Sequence, residues 1–478
     1  MSTHKEIQEE VKERSGRFAK TCLGRRLRFT RFPQQHTSLI SHFNLGSIRA
    51  FPLAESITAI RPRDASTGGI KQASNSMNRR SFVKTLGGVS VGLISGIAYG
   101  QSAQRYDMLI KNGEVRDPGR GFRKQVDVAI SNGVIADIQD TIASDRALDV
   151  IDARGLYVTP GLIDLHTHCF WGGSGIGIEP DPVAARSGTT TWVDAGSFGY
   201  DQVGGFRRFL VLGSQARVFA YIYLYPSSRN PDIDPVKYVR GMMQQTGEAA
   251  VANRDIILGI KFQVGSNMNG KYSLPFLKIA RELCDRFKLP LMAHISFAPP
   301  ETPEVMDLMR PGDIVTHCYN GHTLGIVDQD GKIKPGVREA RARGVLFDLG
   351  HGLGSFNFAA ARTAMEAGFL PDTISTDIYS LNVNGPVYDM PTTLSKLLYL
   401  GMNFDQILIR TTANPAKVIN RLQGLGRIEV GAPADIALLA IEEGEFQLVD
   451  SQNNAVTSKQ KIVSRLSICR GKRLHAPV

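Results

Sequence analysis

The first chemical signal in the chain is a pair of histidines separated by one residue. His166 and His168 end an apolar run that begins at Leu162. Side chains two positions apart on a β-strand point to the same face, so the two imidazoles would project together. Two imidazoles on one face form a chelate for a divalent metal ion such as zinc. Taken alone, the pattern also fits two histidines whose hydrogen bonds are satisfied in a core.

The positions of the other histidines favour the metal interpretation. Of the ten histidines in the chain, three lie before residue 104 and one lies near the end. Four of the other six fall at or just beyond the end of a predicted strand: His166, His168, His294 and His317. His351 follows another predicted strand. Packing in a hydrophobic core does not explain this concentration at strand ends.

Lys261 lies inside the apolar run 257–262, where an unpaired ammonium is costly to bury. Its side chain could extend from the strand end to solvent. Alternatively, the amine could have reacted with carbon dioxide to give an anionic carbamate, whose two oxygens can bridge two metal ions. The carbamate is a hypothesis, because the sequence alone does not reveal this modification.

Asp377 ends another apolar run, 374–377. An aspartate at this position could cap the following helix. It could instead bind a metal ion and accept the proton of an activated water. The number of candidate ligands at strand ends favours the second interpretation, and Asp377 is therefore the predicted catalytic residue.

Eight apolar runs, each followed by a helical stretch, would position these side chains. Continuous apolar runs that alternate with helices indicate a buried parallel sheet. Eight such units predict an α/β fold with a closed (β/α)₈ TIM barrel, whose functional residues gather at the carboxyl ends of the strands. The predicted strands are 162–166, 189–194, 218–224, 257–262, 289–294, 313–317, 345–349 and 374–377.

Two β-rich segments flank the predicted barrel. Short strands separated by turns fill 104–157, and a similar texture returns in 422–478. We predict that these two parts pair as one small β-sandwich beside a barrel that spans 158–421.

The N-terminal 103 residues read as a leader rather than as a domain. They hold 16 Lys/Arg and 6 Asp/Glu, whereas the remaining residues hold 40 and 39. Nearly all of the net charge of +11 therefore lies in the leader, and we expect no nucleic-acid binding by the body of the protein. No run of 18 apolar residues is present, so no stable membrane insertion is expected.

Residues 77–103 begin MNRRSFVK and continue into a short apolar stretch with small residues at its end. This pattern is typical of a secretory signal and resembles a twin-arginine export signal. We therefore expect a periplasmic or secreted protein that is carried by the twin-arginine export machinery. Since a signal must stand at the N-terminus, we interpret 1–76 as a spurious or disordered extension.

The arrangement of candidate ligands resembles the amidohydrolase superfamily in its binuclear, dihydroorotase-like form. The resemblance covers essentially all of 104–478, including the tail GAPADI at 431–436. Three stretches resemble more narrowly the acetyl-amino-acid or acetyl-hydroxyacid deacetylase branch. They are VDAGS at 193–197, THCYNG at 316–321 and FDLGHG at 347–352. Tyr379 departs from the family pattern, which would have histidine there.

The resemblance implies two divalent metal ions, with zinc expected. One ion would be held by His166, His168 and Asp377 and the other by His294 and His317, with carbamylated Lys261 and a hydroxide bridging them. Asn320 and His351 are candidates for substrate binding. Asn320 could equally be a turn residue, and His351 a polar residue that fills space at a strand end.

The resemblance further implies hydrolysis of an amide or ester bond in a small acylated amino or hydroxy acid. Two alternatives stay open, namely a cyclic amidase of dihydroorotase or hydantoinase type and a catalytically inactive binding protein. A deaminase is less favoured because it would not need Lys261. The expected partners are a small-molecule substrate and, as an open possibility, further copies of the chain.

Overall fold

The computed structural model describes residues 105–224 and 233–476. The predicted extension 1–76 and signal 77–103 lie outside the described residues. Within them the structure has seventeen strands and eleven α-helices. No helix in this part of the chain is both long and apolar enough to cross a membrane.

The strands before the barrel are β1 (Tyr106–Lys111), β2 (Glu114–Asp117), β3 (Phe122–Gln125), β4 (Asp127–Ser131), β5 (Val134–Gln139), β6 (Ala147–Asp152) and β7 (Tyr157–Pro160). The barrel strands are β8 (Leu162–Thr167), β9 (Thr189–Ala195), β10 (Arg217–Tyr223), β11 (Ile257–Val264), β12 (Leu291–Ile295), β13 (Ile314–Thr316) and β14 (Leu346–Asp348). The last strands are β15 (Ile436–Val449), β16 (Ala455–Cys469) and β17 (Lys472–Arg473).

The helices up to β13 are α1 (Pro180–Ser187), α2 (Val203–Phe206), α3 (Pro235–Ala252), α4 (Ser266–Asn269), α5 (Ser273–Phe287) and α6 (Thr302–Leu308). Those that follow β13 are α7 (Pro335–Ala342), α8 (Phe358–Glu366), α9 (Met390–Tyr399), α10 (Phe404–Thr411) and α11 (Ala413–Ile419). Single turns of 3₁₀ helix occur at Ser144–Arg146, Tyr200–Gln202 and Gly270–Tyr272, and a π-helical turn occurs at Arg207–Val211.

Strands β8 to β14 form one parallel sheet in which each strand pairs with its neighbours in the chain. Seven of the eight predicted barrel strands are thus present, with ends shifted by no more than two residues. One hydrophobic cluster takes side chains from six consecutive strands, among them Ile163 and Leu165 of β8 and Met292 of β12. Only the inner face of a curled sheet can bring these side chains together. The α/β architecture with a TIM-barrel-like sheet is confirmed.

The eighth predicted strand, 374–377, is an irregular extended segment rather than a regular strand, and we call it the eighth segment. It is joined to the barrel on both sides by single parallel bridges, Asp348 to Thr373 and Thr167 to Ile378. The Asp377 N–H donates to His166 O at 2.7 Å. Asp377 has a φ of +48°, which breaks the extended conformation. The segment therefore closes the barrel and then turns sharply at the candidate ligand.

The N-terminal and C-terminal parts build two further sheets beside the barrel. One has the strand order β5-β4-β1-β6 and the other β17-β16-β15-β7-β2-β3. Buried side chains from both sheets, such as Ile110, Val128, Val158 and Ile468, share one hydrophobic cluster. The two sheets thus pack as a sandwich, as the sequence predicts, while the boundaries 104–157, 158–421 and 422–478 stay predictions.

Strands β15 and β16 form a long antiparallel hairpin. We call the turn that joins them, residues 450–454, the hairpin tip. Ser451 at this tip exchanges hydrogen bonds with Phe356, in the segment between β14 and α8. The sandwich therefore contacts a loop at the carboxyl end of a barrel strand.

Candidate metal centre

Three predicted ligands meet at the carboxyl end of the barrel. His166 lies on β8, His168 follows that strand, and Asp377 ends the eighth segment. One potential ligand atom of each lies within 4.8 Å of the others, and all three side chains are buried. Asp377 Oδ1 lies 3.2 Å from His168 Nε2 and 3.4 Å from His166 Nε2. We call these residues the triad; they form a buried metal site.

The structure places the other three predicted ligands beside the triad. Lys261 Nζ lies 2.9 Å from His166 Nε2 and donates to Ala195 O at 3.1 Å. The ring centroids of His294 and His317 are 4.1 Å apart, and those of His166 and His317 are 5.0 Å apart. Side chains on or directly after four strands, β8, β11, β12 and β13, therefore surround one small volume together with Asp377.

Hydrogen bonds to the outer ring nitrogens orient three of the imidazoles. His317 Nδ1 donates to Gly350 O at 2.6 Å. The Thr316 hydroxyl donates to Asp348, so it must accept from His166 Nδ1, which lies 2.8 Å away. His168 Nδ1 lies 2.9 Å from Ser197 Oγ. The Nε2 atoms of His166 and His317 thus face the centre, an arrangement typical of metal-binding histidines.

Two buried polar atoms at the centre have no hydrogen-bond partner among the described residues. They are Asp377 Oδ1 and His317 Nε2. Buried polar atoms are usually satisfied, and a bound cation would satisfy both.

His317 and Asp377 also have positive φ values of 72° and 48°. Such backbone strain in a non-glycine residue is concentrated at functional sites. The donor set and its orientation fit divalent metal ions.

Burial shifts the pKa values at the centre toward the neutral forms. Desolvation, assisted by the nearby lysine charge, lowers the pKa of His166 well below its usual value. The pKa of His294 is lowered in the same way, and that of His317 falls to about 4. Desolvation also lowers the pKa of Lys261 to about 8. The three imidazoles are therefore neutral at pH 7, the form that binds metal ions.

Three buried aspartates support the ligands, and sequence reasoning gave them no role. Asp348 accepts hydrogen bonds from the hydroxyls of Thr316, Thr373 and Ser375 at 2.6–2.7 Å. It therefore joins β13, β14 and the eighth segment through side chains. Desolvation raises its pKa, although these hydrogen bonds oppose the shift.

The other two aspartates hold backbone segments next to the ligands. Asp164 accepts hydrogen bonds from the backbone and hydroxyl of Thr376, one residue before the catalytic candidate. Asp194 accepts from the backbone N–H groups of Cys169 and Ser197. One feature of the sequence could have identified all three supporting aspartates: each carboxylate lies in an apolar strand, where it needs hydrogen-bond partners.

The two predicted substrate-binding residues lie near the ligands but are engaged by the protein. The Asn320 amide donates to Ile295 O and His317 O and accepts from His322 N. His351 is fully buried, with Nδ1 2.8 Å from Gly352 O and Nε2 2.7 Å from Lys396 Nζ. The structure thus gives both side chains protein partners, and a substrate contact stays a prediction for each.

Tyr379, which departs from the expected pattern, stands at the edge of the centre. Its ring lies 5.9 Å from that of His168, at an interplanar angle of 85°. Burial raises its pKa to about 12, so the hydroxyl is protonated at neutral pH. The phenol is therefore a neutral group beside the triad.

A cavity of about 740 Å³ has Ser197 in its wall. Its walls include three tyrosines, Tyr200, Tyr223 and Tyr238, and the glycine-containing segment 173–175. Ser197 both lines this cavity and contacts His168. The cavity therefore reaches the serine that contacts the outer ring nitrogen of His168.

Comparison with known proteins agrees with this site. A family model described as the Amidohydrolase family matches residues 259–473. A deacetylase from Agrobacterium fabrum is 31% identical over 75% of this chain and 89% of its own length. A deacetylase from Enterococcus faecalis is 34% identical over 75% of this chain and 96% of its own.

Two solved structures share the fold. A crystal structure titled as an adenine deaminase has a TM-score of 0.69 and 34% identity, covering 77% of this chain and 99% of its own. A dihydroorotase crystal structure has a TM-score of 0.68 and 30% identity, covering 77% and 97%. Fold, buried His-His-Asp site and extended sequence similarity together show that the chain belongs to the amidohydrolase family, as a deacetylase-like enzyme.

Proposed function

We propose that this enzyme hydrolyses the amide or ester bond of a small acylated amino acid or hydroxy acid at a centre of two divalent metal ions. The observation that carries the proposal is the convergence of four imidazoles, Lys261 and Asp377 around one buried volume. The deacetylases from Agrobacterium fabrum and Enterococcus faecalis support a deacetylation reaction.

In this proposal the triad holds one ion and His294 with His317 holds the other. Nitrogen and carboxylate donors in this number suit zinc. Lys261, placed between the two sets, would become the bridging ligand by reaction with carbon dioxide. Its nitrogen forms a bond to the carbon of CO₂ and loses a proton, which gives an anionic carbamate. The lowered pKa of Lys261 supports this step because only the neutral amine attacks CO₂.

When bound, such ions lower the pKa of a water molecule and polarise the carbonyl of a substrate. The residues of the chain supply the proton transfer. Asp377 accepts the proton of the attacking water and donates it to the nitrogen or oxygen of the leaving group. Its Oδ1 accepts no hydrogen bond from the described residues, so the carboxylate is open to this role. General acid–base catalysis of this kind contributes about 10²- to 10⁴-fold to a rate.

The substrate would reach the centre through the cavity that Ser197 lines. Tyr223 in its wall, at the end of β10, donates to Gln263 Oε1 at 3.0 Å. Gln263 lies on β11, two residues beyond Lys261. Asn320 and His351 stay proposed contributors to substrate binding or to stabilisation of the oxyanion. For each, the protein contacts described above favour an indirect contribution.

A substrate panel tests the proposed reaction. Purified enzyme loaded with zinc is assayed with N-acetyl amino acids, acetylated hydroxy acids and cyclic imides. We expect turnover of at least one of the first two classes. Turnover of the cyclic compounds alone would overturn the proposal.

The second candidate function is ring opening by a cyclic amidase, and the dihydroorotase structure at 30% identity favours keeping it. The metal centre would be the same, and only the surrounding loops would differ. The structure titled as an adenine deaminase adds adenine to the panel. Deamination does not need Lys261, so retained activity in a Lys261 variant would favour it.

We also propose that the protein is exported through the twin-arginine machinery to the periplasm or beyond. The proposal rests on the segment that begins at Met77. Export in a folded state would suit a protein that acquires its metal first. Sequencing the N-terminus of the mature protein tests this. We expect a terminus close to residue 103, and one upstream of Met77 would contradict the proposal.

A further inference from the structure

The loop that follows β14 contacts two members of the metal centre through its backbone. Gly350 O accepts the hydrogen bond from His317 Nδ1. Gly352 has a φ of +56°, and a Cβ added there would lie 2.4 Å from Asp377 Oδ2. The backbone of this loop, residues 350–352, therefore sets the position of one imidazole and packs against the catalytic carboxylate.

The barrel holds one side of loop 350–352. The N–H groups of His351 and Gly352 donate to Ser375 O at 3.2 Å and Thr376 O at 2.9 Å. These bonds use the N–H groups of His351 and Gly352 and leave their carbonyl oxygens for other donors. The Gly352 carbonyl accepts from His351 Nδ1 at 2.8 Å, and its second lone pair and the buried His351 carbonyl can accept from other partners.

The hairpin tip supplies those partners. Ser451 Oγ lies 3.2 Å from His351 O and 3.0 Å from Gly352 O, and either carbonyl can accept its proton. The same hydroxyl accepts from Phe356 N, and Ser451 N donates to Phe356 O. One serine of the sandwich thus bridges both ends of the segment 351–356.

The tip itself is fixed by a fully buried carboxylate. Asp450 accepts hydrogen bonds from the backbone of Gln452 and Asn454 at 2.8 and 2.9 Å. It also accepts from Phe358 N at 3.1 Å, at the start of α8. Its carboxylate therefore joins the turn to the start of α8 and holds Ser451 in place.

Lys396 of α9 holds the loop from another direction. Its Nζ lies 2.7 Å from His351 Nε2 and donates to Pro386 O at 2.8 Å. Lys396 and His351 are both 0% exposed. Burial lowers the pKa of Lys396 to about 7 and that of His351 well below its usual value. The buried Lys396 amine therefore ties the imidazole of loop 350–352 to α9 and to the segment before it.

We infer that Ser451 and Lys396 are positioning residues, which act through loop 350–352 to hold His317 and Asp377 in their metal-binding geometry. His351 is then the link to Lys396 rather than a group that meets the substrate. The inference rests on the proposed roles of His317 and Asp377 and adds that the sandwich takes part in shaping the metal centre.

Cobalt(II) is a suitable probe because its visible absorption spectrum reports ligand geometry. Metal-free enzyme and the variants Ser451→Ala and Lys396→Met are titrated with cobalt(II), and kcat and KM are measured for the best substrate. The matched control is Ser458→Ala, because Ser458 is a buried serine of the same hairpin whose hydroxyl, among the described residues, bonds to the backbone of Gln460 in its own strand.

We expect both variants to shift the cobalt spectrum and to lose about 10-fold in cobalt affinity, the lower range for residues that orient metal ligands. The kcat should fall by a similar factor, with KM changed less. Ser458→Ala should match the wild type, and Ser451→Thr, which keeps the hydroxyl, should restore the spectrum even if Ser451→Ala folds poorly.

Wild-type spectra and affinities in both variants would overturn the inference, even if their melting temperatures fell. So would a shift of equal size in Ser458→Ala. A wild-type enzyme that binds no cobalt would instead overturn the metal centre of the proposed function, and this inference with it.

Discussion

The two halves of the metal centre are built differently. In the triad, two imidazoles and a carboxyl group already lie within 4.8 Å of one another. The other half, which we call the lysine half, consists of His294, His317 and Lys261. An ammonium here repels a cation, so this half needs the charge of Lys261 to be removed or reversed. The triad needs no modification, whereas in the proposed function the lysine half depends on carbamylation of Lys261.

The largest effect is expected from Asp377→Asn, which would break both halves. Asp377 Oδ1 faces the triad histidines, and Oδ2 lies 4.0 Å from His317 Nε2. The isosteric amide keeps the shape but loses the charge and the proton acceptor. We expect kcat to fall by about 10³-fold, measured by steady-state kinetics. Asp285→Asn, on the exposed face of α5, is the control and should leave kcat unchanged. Activity within tenfold of wild type would contradict the role of Asp377.

Lys261→Met should separate the two halves. Methionine keeps the apolar stem but cannot form a carbamate. We expect the metal content to fall from two ions per chain to one, held by the triad, with activity reduced by about 10²-fold. Elemental analysis of dialysed protein measures this, with the exposed Lys271→Met as control. Two ions retained in Lys261→Met would exclude Lys261 as the bridge.

A smaller effect is expected from Asp348→Asn. Asp348 receives the Thr316 hydroxyl that orients His166, and so it acts on the triad from outside. Loss of such a partner weakens metal binding by about 10- to 100-fold. Competition with a chelator measures the affinity. Asp313→Asn is a matched control because Asp313 is equally buried but pairs with Arg281, away from the ligands. Equal losses in the two variants would mean that destabilisation alone explains the result.

The smallest effect is a pH dependence of assembly in the lysine half. With the pKa of Lys261 at about 8, the neutral amine fraction rises as pH increases. Between pH 7 and pH 8 it rises about fivefold. At fixed dissolved CO₂, uptake of the second ion by metal-free enzyme should accelerate by the same factor. The rate at which the first ion is taken up should not depend on the protonation of Lys261. Uptake of the second ion at a rate that does not depend on CO₂ would contradict the carbamate.

The sequence predicted the parts of the molecule that follow from local pattern. Continuous apolar runs identified seven barrel strands within two residues of their ends. The spacing of His166 and His168 placed both imidazoles together because that relation depends on one strand only. The prediction of a closed barrel also placed Asp377 near these histidines, because the carboxyl ends of all barrel strands meet at the same face.

The features that the sequence did not reveal depend on contacts between distant segments. The 374–377 segment was predicted as a strand, but its hydroxyl and amide groups bond to Asp164 and Asp348 across the barrel. Likewise, nothing near residue 351 in the chain indicates Lys396 or Ser451 as its partners. Such pairings are set by the approach of separate elements, and no periodicity within one segment encodes them.

The central claim, two metal ions that share Lys261, is tested most directly by a crystal structure of the zinc-loaded enzyme with anomalous data at the zinc edge. The account predicts two anomalous peaks, one among the triad and one against His294 and His317, with electron density for a carboxylated Lys261 between them. A single peak at the triad, with an unmodified lysine in contact with His166, would contradict it.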